Sequence, residues 1–335
     1  MARGPGAGRC GPNSPMLAAR RIVLFVAASA LVSSSTARAQ AWLAPKGEAS
    51  FGAAYQNIYT RDHFFSEGER FDGGRIRMQV AVFGLSYSFT DRLAASASVP
   101  YASARYDGKA PHVGNIDNGN YHSGFTDLRL DLRYNLLREP AMVTPFVSAI
   151  IPTRDYPTFA HAALSSGLNQ YLVGVSVGRR LDPFLEAGFV QARYSYAFVA
   201  KVLGVSHDRS NVDLEVGYFL TPSLGISAIG SYQKTYGGIE LPLPGTPAAA
   251  AFRQTPYFVH HDQLAQSNFV NVGGAVSYAL TGTVDVFAAY QVMVWGRSVH
   301  AVQPGLAVGL NWGFSPQRVI RSFARKSASA GASTE

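Results

Sequence analysis

Once its first forty residues are set aside, this sequence has no cysteine. The chain holds one, Cys10, in a stretch predicted to be removed. Disulfides, thiolate metal sites and a lipid-bearing N-terminal cysteine are therefore excluded from the mature protein. Charge is scarce as well. Asp, Glu, Lys and Arg make up 15% of residues, where soluble globular proteins carry about 25%. Long apolar runs are also missing: beyond the N-terminus no stretch approaches the roughly 18 consecutive apolar residues of a membrane-spanning helix. Mean hydropathy is only +0.04 although 47% of residues are hydrophobic, so the apolar residues are dispersed along the chain.

The one apolar run lies at the N-terminus. Arg20 and Arg21 precede Ile22 to Val32, followed by serines and then Ala37-Arg38-Ala39. A basic segment, an apolar stretch of about 7–15 residues and an A-x-A site form a secretory signal, predicted to be cleaved after Ala39. The run is shorter than the roughly 20 residues that a spanning helix needs, which disfavours a signal anchor. Met16 would make a tidier start than Met1. Five arginines fall in residues 1–39, which leaves 24 basic against 21 acidic residues, a mature charge of +3. The high pI therefore implies no nucleic-acid partner.

What is present is a repeated unit. From 47 to 314, alternating apolar and polar residues run for roughly ten positions and then turn. The last unit is the clearest: Leu306, Val308, Leu310, Trp312 and Phe314 share one face, and Gly305, Ala307, Gly309, Asn311 and Gly313 the other. A period of two puts successive side chains on opposite faces of a sheet. Short turns such as Thr90-Asp91-Arg92, Thr221-Pro222-Ser223 and Thr281-Gly282-Thr283 alternate with longer segments near 60–74, 106–123, 153–169, 199–210 and 237–267, and with a shorter one at 297–303. Strands of about 9–11 residues with alternating short and long connections are the habit of membrane barrels. In hydrocarbon every backbone amide must be paired, so a β-protein crosses only as a closed barrel. The expected fold is all-β, a transmembrane antiparallel up-and-down barrel of about 12 strands. The expected layout is a signal peptide at 1–39, a short periplasmic segment at 40–46, the barrel at 47–314 and a disordered periplasmic tail at 315–335. The apolar parity switches near Phe83-Gly84 and Phe189-Val190, which reads as bulges or kinks.

Several strings resemble a known family. Ser86-Tyr87-Ser88-Phe89-Thr90-Asp91-Arg92-Leu93, with Ser98-Val99-Pro100-Tyr101, is similar to a hairpin of the outer-membrane transporter family of the MetA pathway of phenol degradation. Gly124-Phe125-Thr126-Asp127-Leu128-Arg129-Leu130-Asp131-Leu132-Arg133-Tyr134, the segment from Pro145-Phe146 to Ile151-Pro152-Thr153, and the closing Gly309-Leu310-Asn311-Trp312-Gly313-Phe314 look like strands of the same family. The resemblance implies a barrel loosely related to hydrophobic-substrate channels of the fatty-acid and toluene type. Two features depart from those channels: only 40–46 precede the first strand, leaving no room for an N-terminal plug, and 21 residues follow Phe314.

The candidate solute pathway is a set of charges. Asp127, Arg129, Asp131 and Arg133 alternate along one strand face, and Arg75, Arg77, Arg193, Asp213, Glu215 and Asp285 are predicted to face the same lumen. A cationic residue at the lipid midplane costs about 2–4 kcal/mol, which drives the inward assignment. The ladder serves either as a selective constriction or as ion pairs filling a small barrel; mixed signs cancel a strong field and favour filling.

All eight histidines, His63, His112, His122, His161, His207, His260, His261 and His300, fall in predicted outer loops. His260, His261 and Asp262 are the best nucleus for a metal, although no His-x-x-x-His spacing supports one. The simpler reading is that imidazole, excluded from lipid, collects in polar loops, and no cofactor is expected. Gly174-Val175-Ser176-Val177-Gly178 matches a nucleophile-elbow pattern but lies in a continuous strand rather than a strand–turn–helix. Ser206 and Ser210 beside His207 and Asp208 are the only other hydrolase candidates, and neighbours along an extended chain rarely assemble a triad. The sequence thus predicts a non-enzymatic channel of the outer membrane for small, hydrophobic or aromatic molecules. Its partners are membrane lipid, lipopolysaccharide and, through the last strand 305–314, the barrel-assembly machinery. The rival is a filled structural or adhesive barrel acting through its outer loops.

Overall fold

The computed structural model describes residues 41–109 and 112–317. The predicted signal and most of the predicted tail lie outside the described residues. The described residues form thirteen strands: β1 (Ala49–Phe64), β2 (Arg70–Ser88), β3 (Leu93–Asp107), β4 (His122–Phe125), β5 (Asp127–Tyr134), β6 (Met142–Pro152), β7 (Gln170–Arg180), β8 (Gly188–Val199), β9 (His207–Phe219), β10 (Leu224–Gly237), β11 (Asn268–Ala279), β12 (Val284–Arg297) and β13 (Val299–Phe314). Strands consecutive in the chain pair antiparallel except β4 with β5, and β1 pairs with both β2 and β13, so the sheet closes on itself. β4 and β5 both pair with β3 and are one barrel strand interrupted at Thr126. The Thr126 amide bonds Pro100 across the break, and its carbonyl accepts from Thr153. The architecture is a twelve-strand closed barrel.

Alternation decides what each face meets. Leu306, Val308, Leu310 and Trp312 point outward and are 40–51% exposed, as are Leu130, Leu132 and Tyr134 on β5. Such a belt of exposed apolar side chains around a closed sheet is the arrangement of a barrel in lipid. No helix among the described residues is long and apolar enough to cross a membrane.

Two sequence expectations are corrected by strand length. Residues 60–74 form no long loop: β1 and β2 extend to a tight turn at 65–69, and β12 and β13 are separated by Ser298 alone. Strands of 16 and 19 residues exceed the span of the bilayer, and above it the alternation of apolar and polar residues no longer applies. The parity switches are not bulges either. β2 keeps unbroken register with β3 through Phe83 and Gly84, and β8 with β7 through Phe189 and Val190. The switch arises because the interior is itself apolar in places: Ile76, Val80 and Val82 point inward against Ala102, Ala104, Ala162 and Leu164. The register shifts that do occur lie near Thr60 in β1 and between Val270 and Asn271 in β11.

Candidate functional site

Strand parity turns Asp127, Arg129, Asp131 and Arg133 into the barrel, and the register brings β8 and β9 charges to the same level. Arg129 donates two hydrogen bonds to the carboxylate of Asp131, at 3.0 and 3.1 Å. Ser148 donates to the same carboxylate, and Arg193 approaches it at 3.5 Å. The Arg193 guanidinium lies 3.7 Å from the ring centre of Phe146, and its cross-strand partner is Asp213. Glu215 accepts from Gln191, and Glu215 and Asp285 face a small cavity of about 40 Å³ nearer the short-turn end. Eight of the ten predicted pathway residues therefore face the interior.

Arg75 and Arg77 do not. Both are exposed on the outer side of β2, where Arg77 sits directly opposite Arg105 of β3. The inward positions beside them are Ile76 and Met78. The lipid penalty that argued for inward arginines holds only within hydrocarbon, and β2, at 19 residues, is longer than the roughly 9–11 that a spanning strand needs.

Above the charged layer the interior opens into a cavity of about 430 Å³. Ile58, Met78, Val80, Ala102, Leu172 and Met293 supply apolar patches of its wall among polar residues such as Asn211, Gln233 and Asn271, and Arg129, Arg193 and Asp213 lie at its floor. A second cavity of about 290 Å³ shares Ile58, Met78, Ser165, Val299 and His300 with the first and continues toward the end carrying the long segments, the outer end.

The short-turn end is entered by residues that the sequence assigned to a free periplasmic segment. Ala41 is fully buried, and its carbonyl accepts from Thr144 at 2.6 Å. Trp42 packs edge-on to Phe189, with ring centres 6.5 Å apart, and against the inward face of Gly178. Apolar parity at Phe189 was the only sequence trace of this contact.

At the outer end, three segments fold across the mouth. Asp117, from the segment between β3 and β4, accepts the backbone amides of His112 (2.9 Å), His161 (3.2 Å) and Ala162 (2.9 Å) and the Nδ1 of His161 (2.9 Å). Burial alone would raise the Asp117 carboxyl, but these donors hold it down at about 2. From the 153–169 segment, Tyr156 and Ser165 donate to Asp127. The 238–267 segment carries two short helices, α1 (Pro247–Phe252) and α2 (His261–Leu264). It is pinned by Leu241 to Ser66 and Ser298, and by Gln263 to the Ser166 carbonyl at 2.7 Å.

The histidines are not all in loops. His63 and His300 lie in β1 and β13 and are register partners; His122 and His207 begin β4 and β9. Five of the eight converge under the outer segments. His161 stacks between Tyr106 and His112, with ring centres 4.1 and 3.9 Å away. His63 lies 5.6 Å from His161 and 4.1 Å from His300, and His261 lies 4.9 Å from His112. His112 is pushed down to about 3 by burial and by the neighbouring imidazoles, and burial raises Asp262, against the pull of His261 and His161. Of the predicted nucleus, His261 and Asp262 join this cluster. His260 turns away to Gln263, 2.9 Å distant.

The hydrolase candidates are not brought together. Ser176 faces inward on an unbroken strand. In β9, His207 shares the inward face with Arg209, while Asp208 accepts from Tyr196 and Val199, and Ser210 bonds Tyr194 and Tyr236 on the outward face.

The fold is similar to that of the COG4313 outer membrane channel from Pseudomonas putida F1, with a TM-score of 0.63 and 15% identity over 82% of this chain and 98% of that one. The beta domain of the Bordetella autotransporter BrkA aligns at 0.48 with 11% identity, covering 80% of this chain and 99% of that one. The Pseudomonas putida toluene transporter TodX aligns at 0.39 with 12% identity, covering 81% and 90%. No family model and no curated protein matches the sequence.

Proposed function

We propose that this protein is an outer-membrane channel for passive uptake of small, hydrophobic or aromatic molecules. The observation that carries this reading is the cavity of about 430 Å³ with a partly apolar wall above Arg129, Arg193 and Asp213. Benzene already fits a cavity of about 150 Å³, so a single-ring solute has room here, and a polar substituent on it would meet Arg129 or Arg193. On this reading Asp127, Arg129, Asp131, Arg133, Arg193, Asp213, Glu215 and Asp285 line the path. Arg75, Arg77 and Arg105 face the phosphates of outer-leaflet lipopolysaccharide, the last strand is read by the assembly machinery, and export follows cleavage after Ala39. Liposomes carrying the refolded protein should admit toluene or benzoate faster than protein-free liposomes, with step currents in planar bilayers. Absence of both currents and aromatic flux overturns the proposal.

One observation favours the rival, a filled barrel that acts through its outer loops. Trp42 occupies the inner opening and three segments cover the outer one. If a variant lacking the Trp42 side chain also passes neither ions nor aromatic solutes, the rival reading stands.

A further inference from the structure

The histidine cluster brings possible metal-ligating atoms together in two sets of three. One ligating atom each from His112, His261 and Asp262 lies within 4.8 Å of the others, and the same holds for His112, Asp117 and His161. The two sets differ in what their atoms already do. Asp117 is saturated by three amides and the His161 imidazole, which makes it a positioning group. It fixes Nδ1 of His161 as the protonated nitrogen and leaves the Nε2 lone pair free.

The other set is unsatisfied. His261 gives its Nδ1 proton to the Phe258 carbonyl at 2.6 Å, so Nε2 carries the lone pair, 3.3 Å from an oxygen of Asp262. Nε2 of His300 lies 3.8 Å from that oxygen. The second oxygen of Asp262, Nδ1 of His112 and Nδ1 of His63 are buried and have no hydrogen-bond partner, whereas buried polar atoms are almost always paired. Ring nitrogens whose opposite N–H is held by a carbonyl or carboxylate are the usual form of a metal-binding histidine.

We propose that His112, His261 and Asp262 bind one divalent first-row transition metal ion, with His161 and His300 beside the remaining coordination position. Two imidazoles and one carboxylate without thiolate suit Zn²⁺, Cu²⁺ or Co²⁺ rather than Mg²⁺ or Ca²⁺. Zinc holds such ligands at about 2.0–2.2 Å, so donor atoms that now lie within 4.8 Å of one another would have to draw slightly together around the ion. Asp262 lines the outer cavity together with His161 and His300, which gives the ion a route in. Once bound, it ties the segment after β3 to α2 across the mouth.

Tag-free refolded protein, stripped with EDTA, is titrated with Zn²⁺ by calorimetry and with Co²⁺ by visible absorption. One equivalent should bind. His112→Ala and His261→Ala should each weaken binding by at least about 100-fold, more than the roughly 10–100-fold typical of an outer-shell change, which is the loss expected for Asp117→Asn. His122→Ala, outside the cluster, should bind as the parent does. Heat-modifiable gel mobility reports whether each variant folds. Should either alanine variant misfold, the Cu²⁺ electron spin resonance of the parent decides: nitrogen splitting from two imidazoles supports the site. No heat and no Co²⁺ spectrum, or binding unchanged in folded His112→Ala and His261→Ala, overturns it.

Discussion

Trp42 and Gly178 are fitted to one another: a side-chain carbon on Gly178 would stand 2.6 Å from the indole of Trp42. The fit holds residues 41 and 42 inside the end of the barrel that carries the short turns. Trp42→Ala should raise single-channel conductance, and Gly178→Leu should displace the indole and do the same. Tryptophan fluorescence shifting to the red in Gly178→Leu checks the displacement. Conductance unchanged in both variants would mean that this end does not limit the current.

The second prediction concerns sign. Asp131 is the acidic partner of both Arg129 and Arg193. Asp131→Asn keeps the shape of the constriction but leaves its cations uncompensated, so reversal potentials in a salt gradient should move toward chloride selectivity. Arg193→Gln should move them the other way. Either substitution should also destabilise the barrel, since removing one partner of a buried pair costs about 3–5 kcal/mol by leaving the other charge uncompensated.

Asp117→Ala should release the outer segments while leaving the strands intact. Each hydrogen bond to a carboxylate contributes roughly 1.5–3 kcal/mol, and four converge here. Limited proteolysis should cut the 153–169 segment many times faster in the variant, with the barrel band unchanged on a gel.

The same carboxylate predicts a dependence on pH. Held at about 2 against an ordinary value of 3.8, Asp117 favours the folded arrangement fully above about pH 4. That contribution fades as pH falls through 4 toward 2. In EDTA, protease resistance of the outer segments should therefore persist from pH 7 to about 4 and decline below it. Resistance that holds down to pH 2 would assign the pinning to other contacts.

Arg77 and Arg105 stand opposite each other on neighbouring strands, an arrangement that destabilises a sheet unless an anion lies between them. Arg77→Glu should lower the amount of lipopolysaccharide that remains with the detergent-purified protein. An unchanged phosphate content would count against lipid contact at this face.

The barrel was legible in the sequence because lipid enforces one rule along every spanning strand. Leu306 to Trp312 and Leu128 to Tyr134 obey it, and their inward neighbours followed by parity alone. Arg75 and Arg77 were misplaced because that rule stops where β2 leaves the hydrocarbon. Trp42 was missed because nothing local marks a short segment as inserted; only the inward turn of Phe189 reports it. The histidine cluster was half visible. Exclusion from lipid pushed imidazoles outward, yet His112, His161 and His261 meet only through the packing of three separate segments, and His63 and His300 through the pairing of β1 with β13. Adjacent residues such as His260 and His261 were the poorer guide, since they point apart.

The pairing of His63 with His300 has a consequence for how the molecule is assembled. Every other hairpin joins neighbours along the chain, but β1 and β13 must wait for the whole polypeptide before they can zip together. Until then each presents an unpaired edge. The two imidazoles lie across that final seam, so their contact exists only in a barrel that has shut, and a probe placed on either one would report the moment of closure.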